Sequence, residues 1–209
     1  MANKISYLAL GDSYTIGEAV EQAESFPFQL VEMLTENGFG IEKPKVIAKT
    51  GWTTDELRQA IQQEQITDTF GLVTLLIGVN NQYRGYLQET YRREFAELLE
   101  MAISFAGGDK NKVFVVSIPD WGVTAFAKQS GRDLKNISDE IDAFNLINKQ
   151  ETEAKQVSYI DITPGSRQAI KKQNLIASDG LHPSGKMYAD WAKLLAEQIK
   201  GGNFAKTPL

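Results

Sequence analysis

The apolar positions of this chain alternate between short continuous runs and longer segments with helical spacing. Five short runs are rich in β-branched and aromatic residues and are bounded by glycine, proline or polar residues, which is typical of strands. They cover residues 5–10, 45–48, 72–77, 113–116 and 157–160. The middle three runs are almost continuously apolar, as expected of strands buried on both faces of a parallel sheet.

Helical signals separate these runs. Pro27 fits the first turn of a helix that ends near Asn37. Thr53 and Glu56 have the spacing of a capping box at the start of a second helix. Three further segments repeat apolar side chains at intervals of three and four residues, which indicates helices. They lie near 88–105, 138–155 and 184–200. Strands that alternate with helices predict a three-layer α/β/α sandwich around a five-stranded parallel sheet.

Composition narrows the class of protein. The 209 residues suit one α/β domain, so residues 1–209 are interpreted as a single unit. A net charge of -5 argues against a nucleic-acid partner, because phosphate binding relies on clustered Lys and Arg. The absence of cysteine excludes disulfides and a cysteine nucleophile, and a single histidine gives poor support for a metal site.

No apolar run approaches the roughly 18 residues of a membrane-spanning helix. The run at residues 5–10 is also too short for the core of a signal peptide. We therefore expect a cytoplasmic protein without a membrane span. The sequence makes no prediction of the oligomeric state.

Polar residues and glycines follow the predicted strands, where ligands bind in sheets of this kind. Gly11-Asp12-Ser13 follows the first strand, Gly51 the second and Gly78-Val79-Asn80 the third. Near the C-terminus, Asp179 stands three residues before His182. Each feature alone is compatible with a turn or a helix cap. Together, at four separate element boundaries, they favour an active site.

These segments resemble the sequence blocks of the GDSL/SGNH hydrolase family, and the resemblance extends from residue 11 to residue 183. It implies a flavodoxin-like sheet of the SGNH hydrolase type, hydrolysis of acyl esters and no cofactor. The chain departs from the family at Asn81, where the third block commonly has Asp. Asn80, the residue expected to donate a hydrogen bond, is retained.

The chemistry of the residues agrees with the roles that the resemblance implies. A serine hydroxyl needs a base to take its proton, and His182 is the only histidine available to Ser13. Asp179 is spaced to orient His182 if the segment turns. The candidate oxyanion donors are the backbone amides of Ser13 and Gly51 and the side-chain amide of Asn80. The alternatives are a strand-end turn for Gly51 and a cap for Asn80.

Substrate contacts are expected in two places. The segment from Pro119 to about Ile137 has no convincing periodicity, and loops of that length are often functional. Its Trp121 and Phe126 either line an acyl or sugar pocket or cover the end of the core. Tyr83 and Arg84 follow the third strand, and we hypothesise that one of them contacts the leaving group; a solvated arginine is the alternative.

The sequence therefore predicts a serine esterase that acts on a small-molecule ester, with a short acyl group such as acetyl on a soluble substrate. A lysophospholipase or acyl thioesterase of the same family and a catalytically silent carbohydrate-binding relative are the alternatives. A nucleotide-binding flavodoxin-like protein is disfavoured. The stretch from Gly180 to Lys186 imitates a phosphate loop, but Met187 stands where Ser or Thr is required.

Overall fold

A parallel sheet forms the centre of the protein in the computed structural model, which describes residues 4–202. Its strands are β1 (Tyr7–Gly11), β2 (Lys45–Ala48), β3 (Leu72–Leu76), β4 (Val113–Val116) and β5 (Ser158–Ile160). They lie in the order β2-β1-β3-β4-β5, and every neighbouring pair is parallel. The five predicted strands are confirmed, with small differences at their ends.

Helices cover the sheet. In residues 4–202 they are α1 (Ser13–Ile16), α2 (Phe26–Glu36), α3 (Thr54–Gln63), α4 (Val79–Tyr83), α5 (Gln88–Phe105), α6 (Ala125–Gln129), α7 (Leu134–Ala154), α8 (Thr163–Ser166) and α9 (Gly185–Gly201). α2 packs against α9, and α5 packs against both α3 and α7. The fold is the predicted three-layer α/β/α sandwich, with the strand order of flavodoxin-like sheets.

The position of each strand in the sheet explains its composition. Every residue of β1, β3 and β4 is buried, because helices cover these central strands on both faces. The expectation of burial on both faces was wrong for β2, in which only Ile47 is buried. β2 pairs with β1 alone and lies at one edge of the sheet, on the side of β1 opposite to β3.

Most predicted helix boundaries agree with the structure. α3 begins behind the predicted capping box, in which Thr53 and Glu56 each bond the backbone of the other. α7 begins four residues earlier than predicted, at Leu134. The carboxylate of Asp133 accepts a hydrogen bond from the Asn136 amide at 2.8 Å and so caps the first turn. Leu134 and Ile137 extend the apolar repeat of the helix into this turn.

The segment predicted to be irregular, between Pro119 and Ile137, is instead built from single turns. A 3₁₀ turn covers Trp121–Val123 and is followed by α6 and the start of α7. Asp120 caps the first turn and Thr124 caps α6. Apolar periodicity needs at least two turns to be visible, so elements of this length leave no such signal in the sequence.

Candidate active site

Ser13 is the first residue of α1, directly after β1. Asp12 caps this helix, since its Oδ1 accepts a hydrogen bond from the Tyr14 amide at 3.0 Å. A Cβ atom at Gly11 would overlap the Thr15 hydroxyl and the Leu76 carbonyl oxygen, so only glycine lets the helix follow the strand this closely. The turn places Ser13 at the carboxyl end of the sheet.

Asp179 and His182 lie on one short turn. An isolated antiparallel bridge between Ile176 and Pro183 closes the turn at its base. Oδ1 of Asp179 accepts hydrogen bonds from the amides of Leu181 and His182, each at 3.0 Å. Its other oxygen, Oδ2, lies 2.6 Å from Nδ1 of His182. With a proton on Nδ1 directed at the carboxylate, Nε2 is the ring nitrogen left to act as a base.

The charge of Asp179 is maintained by its partners. Partial burial raises the pKa of Asp179, but hydrogen bonds from the His182 ring and from the amides of Leu181 and His182 outweigh this, and the pKa lies below its ordinary value. The carboxylate is therefore ionised at neutral pH and stabilises a positive charge on the imidazole.

A cavity of about 190 Å³ brings Ser13, Asn80 and His182 together. These residues come from three distant parts of the chain and supply the polar groups of the cavity. The rest of its lining is mostly apolar and aromatic: Tyr14, Val79, Tyr83, Trp121, Phe126 and Leu181. Asp179, Gly51 and Arg84 are not among the lining residues; Asp179 lies behind His182.

Asn80 lies in α4 and is held by the loop after β2. Its Nδ2 donates a hydrogen bond to the carbonyl of Trp52 at 2.9 Å. A primary amide carries two hydrogens on this nitrogen, so one N–H remains available to a ligand in the cavity.

Gly51 has a backbone conformation that requires glycine. Its φ of +85° lies in the left-handed region. Its carbonyl accepts a hydrogen bond from Nη2 of Arg84 at 2.6 Å. Arg84 also pairs with Glu56, with Nη1 3.3 Å from Oε2. The guanidinium of Arg84, one of the two groups hypothesised to contact the leaving group, thus contacts the β2–α3 loop (residues 49–53).

The departure at Asn81 has a local explanation. Asn81 is fully buried, its Oδ1 accepts from the Thr54 amide at 3.1 Å, and its Nδ2 donates to the Thr54 hydroxyl at 2.7 Å. That hydroxyl in turn donates to Glu94 at 2.5 Å. Position 81 must therefore supply a donor as well as an acceptor. Glu94, far away in the sequence, creates this requirement, so sequence reasoning gave no account of it.

Aromatic side chains form one wall of the cavity. Trp121 is buried, and its Nε1 donates to Oε1 of Gln82 at 2.8 Å. The rings of Tyr83 and Phe126 lie 5.5 Å and 6.0 Å from the Trp121 ring between centroids. The Arg132 guanidinium stands 5.3 Å from the same ring. The sequence pointed to the three aromatic residues and missed Gln82 and Arg132, which support them.

Asp12, next to Ser13, is fully buried. Its Oδ2 atom has no hydrogen-bond partner among the described residues. Desolvation raises the pKa of Asp12 to about 7, although the hydrogen bond from Tyr14 acts in the opposite direction. An acid that ionises near neutral pH is thus buried at the residue before the serine.

Two features are absent from residues 4–202. These residues contain no group of three or more His, Asp or Glu side chains that could hold a metal ion. None of the helices in the described range combines the length and apolarity needed to cross a membrane.

Comparisons with known proteins give a family match and similar folds. The family model described as the GDSL-like Lipase/Acylhydrolase family matches residues 9–189. No curated protein sequence gives a significant match.

Three solved structures share the fold. TesA is 16% identical with a TM-score of 0.72, over 94% of this chain and 98% of that one. The lipase/acylhydrolase from Enterococcus faecalis is 21% identical with a TM-score of 0.70, over 94% and 96%. The acetylxylan esterase Axe2 from Geobacillus stearothermophilus is 16% identical with a TM-score of 0.71, over 99% and 98%.

Proposed function

The chain belongs to the GDSL-like lipase/acylhydrolase family, and we propose that it is a serine esterase that hydrolyses carboxylic esters through an acyl-enzyme intermediate. One observation carries the proposal. Ser13 and His182 line the same cavity, while Asp179 holds the His182 ring through Nδ1 at 2.6 Å. A nucleophile, a base and a group that orients the base are the components of serine hydrolysis.

In the first half of the reaction, Oγ of Ser13 attacks the ester carbonyl carbon, and its proton passes to Nε2 of His182. Asp179 stabilises the imidazolium that results. The tetrahedral intermediate then expels the alcohol oxygen, which takes the proton from His182. The C–O bond of the ester is broken, and the acyl group is bonded to Ser13.

In the second half, water attacks the acyl-enzyme and gives a proton to His182. The new tetrahedral intermediate releases Oγ of Ser13, which takes that proton back. The product is a carboxylic acid, and the enzyme returns to its starting state. The same three side chains therefore serve both halves of the reaction.

We assign the oxyanion hole to the amides of Ser13 and Gly51 and the side-chain amide of Asn80. The Ser13 amide lies in the first turn of α1, where backbone N–H groups have no partner within the helix. Asn80 has one free N–H after its bond to Trp52. Donors that are already in place stabilise the developing negative charge without reorganisation.

The size of the cavity favours a short acyl group such as acetyl on a small soluble ester. The cavity of about 190 Å³ is small beside the roughly 300–1,000 Å³ of pockets that hold drug-sized ligands. The fold shared with an acetylxylan esterase is compatible with acetyl as the acyl group.

A second candidate is a lysophospholipase or acyl thioesterase with a longer acyl chain. It is favoured by the exposure of Tyr83 and Phe126, at 49% and 38%, which extends the apolar wall to the surface. A series of p-nitrophenyl esters from acetate to decanoate separates the two candidates. A maximum of kcat/KM at acetate or butyrate supports the first, and a maximum at octanoate or decanoate supports the second.

The nucleophile is tested with Ser13→Ala on p-nitrophenyl acetate. We expect kcat to fall by about 10³ or more, because the residues left behind cannot form the acyl-enzyme. Ser104→Ala, an exposed serine of α5, is the matched control and should retain wild-type activity. A serine-directed fluorophosphonate should add its mass to the peptide that contains Ser13. Equal activity of wild type and Ser13→Ala would remove the assignment and leave the silent carbohydrate-binding relative as the better interpretation.

A further inference from the structure

α4 and the residue after it contact the β2–α3 loop and the first residue of α3. Nδ2 of Asn80 bonds the carbonyl of Trp52 at 2.9 Å, and Nη2 of Arg84 bonds the carbonyl of Gly51 at 2.6 Å. Asn81 bonds the Thr54 amide at 3.1 Å. Because β1 lies between β2 and β3, these contacts span the end of the strand that precedes Ser13.

Gly51 needs such support more than its neighbours. Glycine has the widest choice of backbone angles, so its amide and carbonyl reorient easily in a loop. Within the loop, the Trp52 amide donates a backbone hydrogen bond to the Lys49 carbonyl at 3.2 Å. This bond uses neither the amide nor the carbonyl of Gly51. The bond from Arg84 fixes the peptide plane between Gly51 and Trp52. With Gly51 at a φ of +85°, this plane sets the direction of the Gly51 amide, which lies in the preceding peptide plane.

Arg84 is itself well held. Its backbone amide bonds the Asn80 carbonyl at 3.0 Å, and its side chain pairs with Glu56. Glu56 belongs to the capping box of α3. Burial raises the pKa of Glu56, but hydrogen bonds from Thr53 and Arg84 bring it below its ordinary value, so the carboxylate is charged at neutral pH. A charge-assisted bond of this type is stronger than one between neutral groups.

We propose that Arg84 is a positioning residue of the oxyanion hole, which holds the carbonyl of Gly51 so that the amide of the same residue faces the oxygen of the tetrahedral intermediate. This inference rests on the proposed esterase function. Arg84 stands outside the cavity lining and acts through Gly51. It also links the two oxyanion donors that lie outside α1, because it follows the helix that carries Asn80 and bonds the loop that carries Gly51.

The proposal differs measurably from a contact between Arg84 and the leaving group. An oxyanion donor acts on the carbonyl oxygen, which is the same in every acetate ester. In Arg84→Ala, kcat/KM should therefore fall by a similar factor for p-nitrophenyl, phenyl and methyl acetate. We expect a loss of about 10- to 100-fold, less than the 10²–10³ that follows deletion of an oxyanion donor. Arg84→Lys keeps a donor and should recover at least part of the loss.

A tetrahedral mimic gives a second measurement. The inhibition constant of a boronic acid that bonds the nucleophilic serine should rise in Arg84→Ala by a factor similar to the loss of kcat/KM. The inhibition constant of acetate, a planar product, should stay unchanged. Arg58→Ala is the matched control, because Arg58 also pairs with a glutamate, Glu97, but does not contact the β2–α3 loop. Thermal unfolding checks that each variant is folded.

A loss confined to one leaving group, or no loss at all, overturns the proposal. The proposal is also overturned if the inhibition constant of the boronic acid is the same in Arg84→Ala as in wild type. Ser13→Ala, measured in the same series, tests the esterase assignment separately. If Ser13→Ala is inactive while Arg84→Ala equals wild type, the proposed function stands and the positioning role fails.

Discussion

Nδ1 of His182 lies 2.6 Å from Oδ2 of Asp179, only three residues away in the chain. The other carboxylate oxygen of Asp179 accepts two backbone amides of the same turn. Both oxygens are therefore engaged, and the carboxylate cannot rotate without the loss of a hydrogen bond. The position of the imidazole is set by its own turn, before any contact with Ser13 is considered.

Asp179→Asn should lower kcat/KM for p-nitrophenyl acetate by roughly 10² to 10⁴, because an amide can donate to Nδ1 and so stabilise the wrong tautomer of His182. The fold should persist, since the amide oxygen can still accept the backbone bonds. Asp190→Asn, at an exposed position of α9, is the control. An Asp179→Asn protein within threefold of wild type would exclude the orienting role.

Asn80→Asp replaces the side-chain amide by a carboxylate of almost the same shape. It removes the N–H that we assign to the oxyanion and adds a negative charge beside the Trp52 carbonyl. We expect kcat to fall by about 10² to 10³ or more, in line with the deletion of one oxyanion donor. Steady-state kinetics of Asn80→Asp and Asn80→Ala check this. If both variants keep wild-type kcat, Asn80 is a structural cap and not a donor to the substrate.

The bonds around Thr54 predict how Asn81 and Glu94 depend on each other. The Thr54 hydroxyl has one proton, which it donates to Glu94, and it accepts from Asn81. Asn81→Asp removes that donor from a buried site and should lower the free energy of unfolding by about 1–3 kcal/mol.

Glu94→Gln should recover part of this loss in the double variant, since its amide can donate to Thr54, which can then donate to the aspartate. Urea unfolding of the two single variants and the double variant measures the coupling. If the changes in unfolding free energy of the two single variants simply add in the double variant, Asn81 and Glu94 are not coupled through the Thr54 hydroxyl.

Asp12 predicts a pH dependence of stability. Its pKa rises from 3.8 in the unfolded chain to about 7 in the fold, because burial disfavours the charged form. The folded protein therefore binds a proton that the unfolded chain releases between about pH 4 and pH 7. Stability due to this group is complete below pH 3.8 and is lost as the pH rises to 7.

The margin in stability of Asp12→Asn over wild type should therefore grow from pH 4 to pH 7 and stay constant above. At about 1.4 kcal/mol per pKa unit, the margin is at most about 4 kcal/mol. Chemical unfolding at several pH values measures it, with Asp68→Asn, an exposed residue, as the control. A margin that does not change between pH 4 and pH 7 would show that Asp12 is not buried as a neutral acid.

Phe126 should limit the length of the acyl group. Its ring lines the cavity and is partly exposed, so Phe126→Ala opens the wall without damage to the core. We expect kcat/KM to shift towards longer p-nitrophenyl esters, because each additional buried CH₂ contributes about 0.8 kcal/mol. Leu146→Ala, at an exposed site of α7, should leave the chain-length profile unchanged. If kcat/KM depends on ester chain length in Phe126→Ala as it does in wild type, the acyl group does not bind against Phe126.

The sequence predicted the elements whose apolar pattern repeats over enough residues. The strands and the helices α2, α5 and α9 belong to this group. The edge position of β2 was not predictable, because strand order depends on where the chain crosses the sheet and leaves no local pattern. α6 was missed for a different reason: its single turn is specified by the Thr124 cap rather than by apolar spacing.

In the candidate site, too, some residues could be predicted from the sequence and others depend on contacts made only in the fold. Ser13, Asn80, Asp179 and His182 could be proposed because they stand at element boundaries and carry the required chemistry. The contact between Arg84 and Gly51 could not, because it exists only when the loops after β2 and β3 meet across β1. The role of Asn81 depends likewise on Glu94, a residue of α5 that becomes its neighbour only in the folded protein.

The turn that carries Asp179 and His182 also affects how the enzyme is made. His182, the base that we propose, is synthesised 169 residues after Ser13. At about 5–20 residues per second, the gap between them takes roughly 10–30 s. Nascent chains therefore carry the proposed nucleophile without its proposed base, and we expect them not to cleave esters until the turn with His182 has been translated and packed.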